Sequence, residues 1–281
     1  MILITGARGF IGSRLTARLT ADGVPFRTLV RDPKKRVTET DTAVDTIYHL
    51  AGVTKAFAKS DYHDGNVVFT QNLLEACVKR PPGRFVHVSS LAAANPVSAY
   101  GASKLAGEGL VRRSAIADRA VIIRPPVVYG PGDRDVLQFF RTVAAGWIVN
   151  PSQRVSIIHV DDLVDALIFA ASIAPGTYCV SNPEPVDWRE LGELAARLMG
   201  GKARPVSLPD WAMWLAAIGS ESMGRITGKP SIFSRDKLKE ACQPQWICDP
   251  ASNLGYEPRL SLEEGVAQTL AWYKDSGWLS Y

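Results

Sequence analysis

The sequence predicts an α/β fold, a doubly wound parallel sheet carrying a smaller C-terminal lobe. Aliphatic runs at 1–4, 25–30, 46–50, 84–88 and 120–123 alternate with helix-compatible stretches, and that alternation means parallel strands joined by crossovers. A Gly-rich turn joins the first run to a helix-period pattern. Beyond Gly130 the texture becomes less regular.

The first strand covers 1–4. Phe10, Ile11, Leu15 and Leu19 then recur on one helical face, and Asp22-Gly23 ends that helix. Residues 25–30 form the second strand, closed by the turn signal Asp32-Pro33. The runs at 46–50, 84–88 and 120–123 each follow a helix-compatible stretch and lead into a polar or Gly-bearing loop. Further on, 136–145 is helical and 155–159 extended. A helix over 162–171 opens on acidic residues that suit its positive N-terminal end, and another runs over 188–199. Residues 202–250 hold Trp211, Trp214 and Trp246, with Trp188 near their entry, and proline interrupts them repeatedly. They read as a smaller, irregular lobe.

The 281 residues contain 46% apolar and 21% charged side chains, ordinary globular usage that excludes disorder and disulfide scaffolds. A net charge of +4 is too small and too dispersed to make nucleic acid the main partner. Cys77, Cys179, Cys242 and Cys248 are widely spaced, without a C-x-x-C pair or a His-rich cluster of metal spacing, so they are expected to be reduced and mostly packed, with no metal. The opening apolar run is too short for a signal peptide or a membrane span, so the expectation is a cytoplasmic protein.

Three motifs carry chemistry. Thr5-Gly6-Ala7-Arg8-Gly9-Phe10-Ile11-Gly12 is a G-x-x-G-x-x-G turn between strand and helix, where backbone N–H groups can approach a pyrophosphate at the positive helix end. Such a Rossmann-type turn predicts dinucleotide binding. At the end of the second strand stands Arg31, with Arg8, Lys34 and Lys35 in support. A basic side chain there accepts a 2′-phosphate and favours NADP, whereas Asp32 could still hold a ribose hydroxyl and keeps NAD open. The third motif, Tyr100-Gly101-Ala102-Ser103-Lys104, puts a phenol and an ammonium on one helical face. The cation stabilises a phenolate, so the tyrosine can exchange a proton with a hydroxyl while hydride moves at the neighbouring carbon. Ser89-Ser90, at the end of the 84–88 strand, offers a hydroxyl to the same oxygen.

With these residues in order, the chain resembles the extended short-chain dehydrogenase/reductases, the family of NAD(P)-dependent nucleotide-sugar epimerases and dehydratases. The resemblance also rests on His49-Leu50-Ala51-Gly52, Asn66 followed by Thr70–Ala76, Arg124-Pro125 leading to Tyr129-Gly130-Pro131-Gly132, His159-Val160-Asp161-Asp162, and the closing Leu254–Pro258, Ser261–Gly265 and Trp272-Tyr273. It implies that Ser90, Tyr100 and Lys104 are catalytic. Ser90 would orient the substrate oxygen, Tyr100 act as acid/base, and Lys104 bind the nicotinamide ribose while lowering the tyrosine pKa.

The cofactor would lie against Gly6, Arg8, Gly9, Phe10, Ile11, Gly12, Arg31, Leu50, Ala51, Gly52, Ser89, Tyr100, Lys104 and Pro125. Arg154 is a candidate for substrate contact, and His159 either contacts substrate or is held structurally by Asp161 or Asp162. The implied division is a cofactor domain over 1–150, to which later segments return, and a substrate lobe with a closing helix over 151–281. A homodimer through helices near 62–79 and 100–117 is a further expectation of the resemblance.

Val30-Arg31-Asp32-Pro33 together with Ser89–Ala94 resembles the branch of dihydroflavonol reductases and 3β-hydroxysteroid dehydrogenases, which act at an oxygen on an apolar ring system. The leading expectation is therefore hydride transfer at a carbinol or ketone carbon of an apolar small molecule. A nucleotide-sugar epimerase with tightly held NAD is the alternative, and a non-catalytic NADP-binding sensor is a third reading.

Some spacings are short. Only 14 residues separate Arg31 from Thr46, where a doubly wound sheet would fit a helix, another strand and a return crossover, and only nine separate Ser90 from Tyr100. The stretches near 150–153 and 252–253 are also clipped. Either the protein is a pared-down member, or mobile segments near 37–42 and 94–95 are absent from these 281 residues. Intact motifs beside shortened loops favour the second, with a native chain longer by about 40–60 residues.

Overall fold

The computed structural model describes residues 1–30, 37–149, 153–228, 231, 233–243 and 245–281. They form two compact units that interleave along the chain: Met1–Pro125, Val164–Val180 and Pro250–Tyr256 in the first, and Pro126–Leu163, Ser181–Asp249 and Glu257–Tyr281 in the second. The first break falls at Pro125 rather than near 150, so residues 126–149 belong with the second unit.

The first unit is built on β1 (Ile2–Thr5), β2 (Phe26–Leu29), β3 (Thr46–His49), β4 (Arg84–Val88), β5 (Ala120–Arg124) and a sixth strand, Gly176–Cys179. All pair in parallel, in the spatial order sixth strand, β5, β4, β3, β1, β2. The doubly wound sheet expected from the strand-helix alternation is therefore present. The crossovers are α1 (Phe10–Ala21), α2 (Glu39–Thr42), α3 (Lys59–His63) leading through a π-turn into α4 (Phe69–Ala76), and α5 (Ala99–Arg112).

Leu3, Ile47, Phe85 and Ile122 from the strands pack against Leu73, Leu74 and Val111 from α4 and α5. Consecutive residues of β1, β3, β4 and β5 are buried, as a parallel sheet covered on both faces requires.

Among the described residues β2 is the sheet's edge, and α2, started by the Thr38–Asp41 capping box, is the one helix between β2 and β3. The other short spacing is a succession of tight turns, with Ala93 N–H bonded to Ser90 O, Ala94 N–H to Leu91 O and Val97 N–H to Asn95 O.

The second unit comprises α6 (Val136–Ala144), the start of α7 (Val160–Ala170), α8 (Trp188–Leu198), α9 (Asp210–Thr227), α10 (Arg235–Ala241), α11 (Leu262–Asp275) and several short strands. Its core joins Leu137 and Phe140 of α6, Leu191 and Ala195 of α8, and Val266, Leu270 and Tyr273 of α11. Capping boxes at Asp187–Glu190 and Ser261–Glu264 start α8 and α11.

The irregular reading of 202–250 needs correction. It contains α9, an 18-residue helix entered from Pro209 and stopped by Gly228 at φ +67°, which are the start and stop signals a helix uses. Trp211 and Trp214 lie on its exposed side rather than in a core.

Cys77 and Cys179 are buried, Cys248 is half-buried and Cys242 is exposed. No helix among the described residues is long and apolar enough to cross a membrane.

The buried Asp162 carboxylate accepts the N–H groups of Arg259 (2.8 Å) and Leu260 (3.2 Å), pinning the loop that leads into α11. Asp162→Ala leaves two donors unpaired. It is expected to lower stability by about 2–3 kcal/mol in urea unfolding, and an unchanged midpoint contradicts this role.

Candidate active site

At the end of β1 the chain turns through Gly6 at φ +74°, a conformation that L side chains rarely adopt. A Cβ on Gly6 would lie 2.6 Å from Ala51 N, and one on Gly12 would lie 2.1 Å from Gly6 O, so the turn closes only around bare glycines. Gly9 N–H bonds Gly6 O at 2.9 Å and α1 starts at Phe10 with no acidic residue in its first turn, leaving its positive end suited to an anion.

Beside the turn Arg8 is exposed, Phe10 and Ile11 are partly buried, and Gly12 is buried. The exit of β3 runs alongside. Leu50 N–H bonds Thr5 O (3.2 Å) and Ala51 N–H bonds the Thr5 hydroxyl (3.1 Å). The positive start of α1 and the missing side chains leave a cradle that fits the pyrophosphate of a dinucleotide. Arg31, assigned to its ribose end, lies outside the described residues.

The catalytic candidates gather where β4 meets α5. Ser90 follows β4, and its hydroxyl accepts Ala92 N–H at 3.2 Å, which leaves its own proton to donate. Ser98 caps α5 by accepting Gly101 N–H at 2.9 Å, and so fixes the turn that carries Tyr100. Tyr100 is 9% exposed and packs with Tyr62 and Ala92. One turn on, Lys104 is 6% exposed, and its ammonium donates to Val88 O at 2.7 Å. Burial draws the Lys104 pKa down to about 8, against the opposing pull of Glu108. Pro125 is buried just past β5, its carbonyl accepting Leu91 N–H at 2.8 Å.

Glu108, not singled out from the sequence, is the hub beneath these residues. Its fully buried carboxylate accepts Ser89 Oγ (2.6 Å), Arg124 Nε (2.8 Å) and Nη2 (2.7 Å), and Arg112 Nη2 (2.6 Å). Burial pushes its pKa up, but the bonds from Arg124 and Ser89 outweigh that and hold it below the usual carboxylate range. The available signal was its spacing, i+4 from Lys104 on a face already known to turn inward.

A second polar chain runs from the glycine turn to α5. Thr5 Oγ1 meets His49 Nδ1 (2.7 Å), His49 Nε2 meets Thr70 Oγ1 (2.9 Å), and Thr70 Oγ1 donates to Asn66 O (2.9 Å). The Asn66 amide donates to Ser103 Oγ (2.8 Å), which donates to Tyr100 O (2.7 Å). Burial, with Lys104 adding to it, lowers the His49 pKa to about 3, so this ring is neutral. A Cβ on Gly52 would come within 2.8 Å of Asn66 Oδ1 and 3.4 Å of Lys104 Nζ.

In the second unit Arg154 is exposed and bonds Pro185 O at 3.2 Å. His159 is fully buried, edge-on to Tyr129 with ring centroids 5.3 Å apart, and accepts Asp161 N–H at 3.3 Å. The first of its two readings requires an accessible ring, and the geometry gives the structural one.

Residues 2–178 match the model of the NAD dependent epimerase/dehydratase family. The chain is similar to ceramide reductase of Caulobacter vibrioides, 32% identical over 307 positions that cover 99% of this chain and 96% of the relative. That span exceeds 281 residues, so the relative carries internal residues with no counterpart here. The 2-alkyl-3-oxoalkanoate reductase of Stenotrophomonas maltophilia is 27% identical, covering 96% of this chain and 98% of its own.

Among solved structures, the UDP-glucuronic acid 4-epimerase of Bacillus cereus in complex with UDP-glucuronic acid and NAD superposes with a TM-score of 0.73 at 20% identity. It covers 98% of this chain and 99% of its own, a likeness of fold. The glycine cradle, the ordered Ser, Tyr and Lys, and a match over most of the chain's length leave one conclusion: the chain belongs to the NAD-dependent epimerase/dehydratase family.

Proposed function

We propose that this protein is an NADP-dependent reductase of apolar ketones, able to run in reverse on the alcohol, with Tyr100 exchanging a proton with the reacting oxygen. The observation that carries the reading is the buried Lys104 ammonium, tied to Val88 O one helical turn beyond Tyr100. When bound, the dinucleotide supplies the hydride that reaches the carbonyl carbon.

The chain's own residues do the rest. Gly6, Gly9, Gly12 and the start of α1 receive the pyrophosphate, and Leu50, Ala51, Gly52, Ser89 and Pro125 border the remainder. Ser90 donates to the substrate oxygen and holds it at the phenol. Tyr100 gives up its proton as that oxygen gains charge, and the Lys104 cation stabilises the phenolate left behind.

NADP over NAD is supported by Arg8, exposed at the glycine turn, and by the Arg31, Lys34 and Lys35 of the sequence. An apolar ketone is supported by the ceramide and 2-alkyl-3-oxoalkanoate reductases among the relatives. Arg154 remains a candidate substrate contact. A homodimer fits the exposure of Val68 and Val78 at the two ends of α4 and of Leu105 on α5.

The test is a panel of long-chain 3-ketones and UDP-sugars with both reduced cofactors. Loss of NADPH absorbance with a ketone, faster than of NADH, is expected. Interconversion of UDP-sugars without net cofactor consumption identifies the epimerase instead, and cofactor binding without turnover identifies the sensor.

Tyr100→Phe should lower turnover about 100-fold or more with cofactor affinity nearly unchanged, measured by cofactor fluorescence; retained turnover contradicts the acid/base role. Glu108→Gln removes the carboxylate that favours the Lys104 cation, so the Lys104 pKa falls further. The alkaline limb of kcat/KM should then move to lower pH, and a limb that stays in place separates Glu108 from the reaction.

A further inference from the structure

Helix α9 is apolar on both of its faces. Met213 and Ala217 turn inward and pack with Leu238 of α10 and the neighbouring Phe233. On the other side Trp211 (67% exposed), Trp214 (40%), Leu215 (60%), Ile218 (44%) and Ile226 (81%) stand open. Their spacing of i, i+3, i+4, i+7 and i+15 is one helical stripe, so they form one continuous face rather than scattered exposure. Arg225, exposed on the same stripe, is the charge among them.

The segment that carries this face is net basic: residues 202–240 hold seven lysines and arginines against four acids. Arg235, Lys237 and Lys239 are matched by Glu221, Glu240 and Asp236. Lys202, Arg204 and Arg225 are exposed. Behind the stripe, a cavity of about 690 Å³ lies between α6 and α9, with Phe139, Val149, Met223 and Phe233 in its lining.

We infer that the outer face of α9 docks on an anionic phospholipid surface. Trp211 and Trp214 would sit at headgroup depth, Leu215, Ile218 and Ile226 against the acyl chains, and the surrounding cations on lipid phosphates. Indoles are favoured at that boundary because they join a large apolar body to a polar N–H. A helix with an apolar stripe and a basic surround is held there by buried area and charge together. A second copy of this chain fits less well, because two such faces would bring like charges together. The binding needs neither cofactor nor substrate, so its outcome is independent of the reductase reading.

The experiment is sedimentation of the full protein with vesicles of phosphatidylglycerol and phosphatidylcholine, with pure phosphatidylcholine and with high salt, alongside tryptophan emission. Expected are binding to the anionic vesicles with a blue shift, weakening in salt, and an affinity at least about tenfold lower for Trp211→Ser/Leu215→Ser. Thermal unfolding of that variant should match the parent, because both side chains are solvent-facing. The proposal is overturned if the parent stays in the supernatant, if the folded variant binds equally well, or if neutral vesicles bind as strongly. A concentration-dependent dimer that the variant abolishes, without vesicle binding, overturns it in favour of a second copy.

Discussion

A lysine ammonium with 6% of its surface exposed is the constraint around which the first unit is arranged. Removing such a cation from water is unfavourable unless it is hydrogen-bonded and matched by nearby negative charge. Val88 O supplies the bond, and Glu108, one turn further along α5, supplies the charge. The bond holds α5 against the end of β4. Because Tyr100 precedes Lys104 by one turn, the same attachment fixes the turn of α5 that carries the phenol. Glu108 in turn is held by Ser89 just past β4, by Arg124 of β5 and by Arg112, so α5 and the strand ends are one construction. The chain narrows to glycine at position 52 because the Asn66 amide oxygen and the Lys104 nitrogen occupy the space a side chain would need.

The other half of the construction is the hydrogen-bonded chain from Thr5 through His49, Thr70, Asn66 and Ser103 to Tyr100 O. It links the strand before the glycine turn to the helix that carries the phenol. Kept neutral by burial, His49 can donate from one nitrogen and accept at the other, as a relay between two hydroxyls requires. His87 stacks on it at 5.1 Å with neither ring nitrogen hydrogen-bonded, and burial drives its pKa well below the ordinary value. Two neutral rings beneath Lys104 leave Glu108 as the counter-charge from this core.

Strands were the most legible feature of the sequence, since β1 and β5 are aliphatic runs that end on a polar residue and neither depends on distant partners. The glycine turn and the Tyr-Lys spacing were legible for a related reason: each is a local geometry with few residue solutions. Glu108 was less so, because its i+4 spacing from Lys104 marks only the inward face of α5, while its partners Ser89 and Arg124 come from the ends of separate strands. Helix α9 was not legible because the prolines and tryptophans of 202–250 break the apolar period, although Pro209 and Gly228 bracket it as start and stop. Between Arg31 and Thr46 the described residues hold α2 and no further strand. The longer span of the ceramide reductase match agrees with a relative that carries more residues than this chain.

The claim that supports the rest is that Lys104 is a buried cation near neutrality, with a pKa drawn down by burial and partly restored by Glu108. Titrating the protein with ¹³Cε-labelled lysine by NMR, and assigning the signal by its absence in Lys104→Met, reads this directly. A midpoint near 8, well below that of the surface lysines, is the predicted result. A midpoint among the surface lysines, or a neutral amine already at pH 7, would contradict the account.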